Sequence, residues 1–150
     1  MQRSERAFTL LELVVALAAV AIVAAFALPG WRNQVARGHR IDAVAALYRA
    51  AQFVEAQGPL PALLPAGMDQ APPAGAAVYR LKLLAGDEMN GGYTIVAAPA
   101  ETGPMRDDPC GAFTLDANGT RSNQAPGAYA AAPVTAPVTV PNPRDCWRDR

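Results

Sequence analysis

Phe8-Thr9-Leu10-Leu11-Glu12 opens an apolar run that meets no further charge until Arg32. From Leu13 to Leu28 every residue is apolar, and Pro29-Gly30 follows. As a helix, Phe8 to Leu28 measures roughly 31 Å, about the thickness of a bilayer core. Glu12 is the odd residue in it. A carboxylate in lipid costs on the order of a few kcal/mol, so it needs a partner or a place at the interface.

Ahead of the run lie Arg3 and Arg6, with one acid, Glu5. A short basic flank predicts an N-in orientation. The remainder of the chain then crosses to a compartment where disulfides form. Three readings fit the segment. It is a secretory signal cut at the small-x-small sequence Ala25-Phe26-Ala27, a permanent single-pass anchor, or an apolar helix exposed by removal of a very short leader.

Composition limits what lies beyond. Of 150 residues, 51% are hydrophobic and 17% charged, which excludes a disordered chain. The 13 basic and 13 acidic residues cancel, so no overall basic field draws the chain to nucleic acid or anionic lipid. Two Cys and one His exclude zinc-finger and haem-attachment spacings. A cofactor is not expected.

From Trp31 to Gln57 there is no Pro. Ile41, Val44, Leu47, Tyr48, Ala51 and Val54 recur at helical spacing and predict one buried stripe, with Arg40, Asp42, Arg49, Gln52 and Glu55 largely outside it. Gly58-Pro59 ends the segment. One helix from Phe8 to about Gln57 is therefore expected, apolar all round at first and amphipathic later.

Thirteen of the 14 Pro lie from Pro59 onward. Pro59 to Ala77 reads as an irregular loop. Tyr79–Leu83, Tyr93–Val96 and Ala112–Asp116 read as short strands, with Asn118-Gly119 as a hairpin turn and Thr120–Ser122 as a weak fourth strand. A small antiparallel sheet covered by the helix gives an α+β head. Gln124 to Pro143 reads as loop or extended edge pieces around Val134-Thr135 and Val138–Val140. Cys110 and Cys146 both lie in the exported part and are expected to bridge.

Phe8-Thr9-Leu10-Leu11-Glu12, after Arg6-Ala7 and before the apolar run, resembles the signature of the type IV pilin family. Cys110-Gly111-Ala112-Phe113-Thr114-Leu115-Asp116, Gly119, Cys146-Trp147 and Arg37–Ala43 are similar to the PilE-like minor pilins of that family. The resemblance implies the type IV pilin fold. It implies cutting by a prepilin peptidase between Ala7 and Phe8, although Gly is usual where Ala7 stands, and N-methylation of the new amino terminus on Phe8. Pro29 falls where pilins carry a helix-kinking Pro, and Cys110 and Cys146 fall where they carry a disulfide-bounded loop.

The implied organisation is a leader 1–7, an assembly helix 8–30, its amphipathic continuation 31–58 and a β head 59–150. The implied partners are other pilin subunits, met through the helix, together with prepilin peptidase and the inner-membrane assembly machinery. The subunit waits in the inner membrane, then joins an extracellular pilus for adhesion, twitching motility or DNA uptake.

The chemistry of assembly follows from the residues. A processed Phe8 carries an ammonium with a reference pKa of about 7.7–8. Glu12 lies one turn away, so it pairs with that ammonium or with a neighbouring subunit's, which sets register. Two rivals share this N-terminus: a type II secretion pseudopilin, which the Cys-bounded loop disfavours, and a DNA-binding competence pilin, which the neutral charge disfavours.

Enzymatic function is not expected. His39 sits between Arg37 and Arg40 on an expected exposed turn. Glu101, Asp107 and Asp108 lack calcium-loop spacing.

Overall fold

The structure, a computed structural model, describes residues 8–58, 61, 63–124 and 142–147. The elements run α1 (Leu10–Gln57), β1 (Gln70–Ala71), β2 (Tyr79–Ala85), a 3-10 turn (Glu88–Asn90), β3 (Tyr93–Pro99), β4 (Ala112–Asp116), β5 (Arg121–Gln124) and α2 (Pro143–Cys146). The chain divides into two compact units, Met1–Val35 and Ala36–Arg150.

In the first unit α1 starts at an N-cap. The Glu12 amide donates to the Thr9 hydroxyl at 3.2 Å, and the Leu13 amide to the Thr9 carbonyl at 3.2 Å. The threonine side chain thus satisfies one of the helix's orphan amides, and its carbonyl accepts the first intrahelical bond. The helix is long and apolar enough to cross a membrane, and none of its most apolar window is buried. Large side chains from Leu10 to Leu28 all face outward, Leu10 at 81% and Phe26 at 82% exposure. Such a surface finds no favourable solvent in water. The helix continues through positions 29 and 30 to Gln57, as expected of a pilin and unlike an anchor that stops at Pro29.

The second unit is an α+β head. Five antiparallel strands lie in sequence order, β1-β2-β3-β4-β5, and form a meander. Leu83 pairs with Ile95 and Ile95 with Leu115, while Leu81 pairs with Ala97 and Ala97 with Phe113. Those residues share one face. Together with Tyr79 they meet Ala43, Ala46, Leu47, Ala50, Ala51 and Val54 of α1 in one core.

The helix contributes mostly alanines and the sheet contributes the bulk. Short alanine side chains let the helix backbone approach closely, and the large sheet residues fill the space between. The expected stripe is corrected accordingly. Leu47, Ala51 and Val54 are buried, but Val44 and Tyr48 are only partly so, and Ile41 is 44% exposed.

β4 matches its expected span, while β2 and β3 extend beyond theirs. The weak fourth strand is β5. Gly119, at φ 80°, makes the β4–β5 turn with a backbone conformation that disfavours other residues. Inside the expected loop Pro59–Ala77 lies one unforeseen strand, β1. It is fixed to β2 by bonds from the Val78 amide to the Ala71 carbonyl and from the Leu81 amide to the Asp69 carbonyl, both 2.8 Å. The segments Val134-Thr135 and Val138–Val140 lie outside the described residues.

Candidate functional site

The far edge of the sheet carries most of the head's connected chemistry. Cys110, just ahead of β4, bridges Cys146, which ends α2. The next residue, Trp147, packs edge-to-face on Phe113 with centroids 5.4 Å apart, and Phe113 packs likewise on Tyr79 at 6.0 Å. Trp147 Nε1 donates to Asn123 Oδ1 at 2.8 Å, and Asn123 Nδ2 donates to the Cys110 carbonyl at 2.9 Å. One asparagine thus ties the indole to the strand and the strand to the disulfide.

Arg121 lies two residues earlier on the same face of β5. Its guanidinium carbon sits over the Tyr48 ring at 5.5 Å and the Trp147 ring at 5.7 Å from their centroids. Cation–π contacts of this kind hold an exposed guanidinium without neutralising it.

Deeper in the head, Arg40 of α1 reaches the 100–111 loop. Its Nε donates to Asp108 Oδ2 at 3.1 Å, and its Nη2 donates to Asp108 Oδ1. The Asp108 side chain is only 4% exposed. Those hydrogen bonds, working against burial, hold Arg40 above its ordinary pKa. Asp108, set aside as a cation ligand, is therefore an arginine's partner. The Tyr79 hydroxyl is buried and has no hydrogen-bond partner among the described residues. Burial, then Asp108, pushes its pKa up. Tyr93 donates to Glu55 Oε1 at 3.2 Å, and burial first, then Glu55, raises its pKa.

The remaining cations are spread more widely. Arg80 and Lys82 are exposed on the side of β2 opposite the helix. Among the described residues the ion pairs are Arg40–Asp108 and Arg106–Asp107. Arg49, Arg80, Lys82, Arg121 and Arg144 are exposed and have no ion-pair partner among the described residues, in a chain with no net charge.

The residues expected to assemble the filament are only partly described. Phe8 is 84% exposed and Glu12, in the first turn of α1, is also exposed. Ala7 lies outside the described residues. His39 is partly buried, and among the described residues no three His, Cys, Asp or Glu converge. Sequence reading missed the Thr9 cap, although Thr9-x-x-Glu12 has the spacing of a capping box. It also missed the Arg40–Asp108 pair and the Arg121 cluster, which no local spacing reveals.

A helix apolar all round and then one-sided, leading into an antiparallel meander pinned by a disulfide, is the build of a pilin. A family model described as "Type IV minor pilin ComP, DNA uptake sequence receptor" matches residues 29–114. A second, described as "Prokaryotic N-terminal methylation motif", matches residues 2–28. The chain belongs to the type IV minor pilin family. It is a minor type IV pilin subunit, and its N-terminal motif and apolar helix fit a membrane-anchored pilin. Pilin families are structural families. Searches of curated proteins and of solved structures returned no match.

Proposed function

We propose that this subunit is made as a prepilin, held single-pass and N-in in the inner membrane, and cut by prepilin peptidase between Ala7 and Phe8. The assembly machinery then draws it into an extracellular pilus, where its head binds DNA during uptake. Residues 1–7 are the leader, 8–30 the assembly helix with a kink at Pro29, 31–58 its continuation and 59–150 the head. The Phe8 ammonium and the Glu12 carboxylate set register between neighbouring helices, because each charge is costly in an apolar bundle without the other. The subunit acts by packing and binding, with no catalytic step.

The observation that carries the DNA reading is the family match across 29–114, whose description names a DNA uptake sequence receptor. Net neutrality opposed it at first sight. The surface cations answer that objection, because phosphate contacts depend on local charge.

Two measurements test the reading. The N-terminus and intact mass of protein from native membrane should give N-methylated Phe8 in a chain two mass units below its reduced form. A chain beginning at Leu28 would refute processing. The full-length protein in neutral detergent should retard duplex DNA at low salt and release it as salt rises. No retardation at low salt would refute DNA binding.

A further inference from the structure

Two features set Arg121 apart from the other exposed cations, and a third it shares with several of them. It lies on the last strand of the sheet, where Leu115 pairs with Arg121 and Phe113 with Asn123. It is the cation held over two rings, one from α1 and one beside the disulfide. Among the described residues no carboxylate lies within salt-bridge distance of it and no acceptor takes a hydrogen bond from it.

A guanidinium has five N–H donors in its plane and binds tetrahedral oxyanions through two at once. Holding the group over aromatic faces leaves those in-plane donors open. It also removes much of the rotamer freedom that a free arginine loses on binding. A cation kept in place, charged and without an acceptor among the described residues suits a phosphodiester.

We propose that Arg121, fixed by Tyr48 and Trp147, is a phosphate anchor for the bound DNA strand. This rests on the DNA-binding reading above. It goes beyond the family match, which ends at residue 114, before Arg121, Asn123 and Trp147. Asn123 is a positioning residue. It holds the indole through Nε1 and is itself held to Cys110, so it acts on DNA only through Trp147 and Arg121. Arg80 and Lys82, on the opposite side of the sheet, add charge but no comparable fixing.

The test uses the oxidised full-length chain in neutral detergent and a labelled DNA duplex, with affinity measured across a salt series. Arg121→Lys keeps the charge and loses the planar fork, so it should bind about tenfold more weakly with an unchanged salt slope. Arg121→Gln should bind more weakly still, with the slope reduced by about one. Asn123→Ala should weaken binding severalfold while Arg121 remains present.

Trp31 and Trp147 are the two tryptophans. In a Trp31→Phe background, Trp147 emission should change on adding DNA, and that change should vanish with Arg121→Gln. Wild type that binds DNA while Arg121→Lys binds equally well overturns the anchor and leaves DNA binding standing. Wild type that binds no DNA overturns both. Weakening accompanied by an equal loss of thermal stability in both Arg121 variants, with no change in Trp147 emission on adding DNA to wild type, makes the cluster a structural stitch and overturns the proposal.

Discussion

Replacing Arg40 by Met tests how the 100–111 loop is held on α1. The substitution keeps the aliphatic stem and removes the cation. It leaves the Asp108 carboxylate, 4% exposed, with neither of its two arginine bonds. Breaking a fully buried pair costs roughly 3–5 kcal/mol. The Arg40 side chain is 25% exposed, so water partly screened the pair and can partly reach the orphaned acid. We expect about 2–3 kcal/mol, or about 10 °C in the melting temperature of a head this size.

The companion Arg40→Met/Asp108→Leu removes both charges and should recover most of that loss, because an apolar pair of similar volume leaves nothing to solvate. In a Trp31→Phe background, near-UV circular dichroism of the oxidised full-length chain in neutral detergent reads mainly the head's aromatic packing. A single variant within about 0.5 kcal/mol of wild type would mean that water already solvates Asp108. A double variant as unstable as the single one would mean that backbone bonds, not the ion pair, position the loop. Either result refutes the reasoning.

Tyr79→Phe removes a buried hydroxyl that has no partner among the described residues and should stabilise the head by about 1 kcal/mol at neutral pH in the same melts. Its pKa is raised by folding, so the native state keeps a proton that the unfolded chain loses. Stability should therefore fall as pH rises above the ordinary tyrosine value of 10.0, and fall less in the Phe variant. Cys146→Ser opens a loop with a sequence separation of 36 and should cost about 4 kcal/mol by chemical denaturation. Glu12→Ala should leave membrane insertion intact and lower recovery in sheared pili by at least about tenfold, read by immunoblot of the two fractions.

What the sequence revealed followed from periodicity and punctuation. The run from Leu13 to Leu28 has one outcome as a helix, and alternation in Tyr79–Leu83 and Ala112–Asp116 has one as strands. The buried helix stripe keeps Leu47, Ala51 and Val54 but is completed by alanines, which carry little periodic signal in a chain with 33 of them. Yet Ala43, Ala46 and Ala50 are the residues that let α1 approach the sheet. β1 escaped because two residues in a proline-rich stretch have no period, and their strand exists only by pairing with β2. Arg40–Asp108 and Arg121–Tyr48 join residues 68 and 73 positions apart, which only the fold brings together.

The family match ends at residue 114, inside β4, so β5, α2 and Trp147 lie beyond the matched residues. Residues 29–114 supply the later part of α1, most of the sheet and the loop to Cys110. What lies beyond must be fastened to that scaffold to act with it. The fastenings are the Cys110–Cys146 bridge, the backbone ladder from β4 to β5, and Asn123 between Trp147 and the Cys110 carbonyl. Each holds a later residue to an earlier one; the ladder and Asn123 lie on β5 with Arg121, and the bridge holds the residue next to Trp147. A segment that served only to finish the sheet would gain little from presenting a cation with no ion-pair partner among the described residues, where the acid that neutralises Arg40 shows a simple alternative. The convergence is the reason to look for DNA contacts at β5 and Trp147, beside the disulfide.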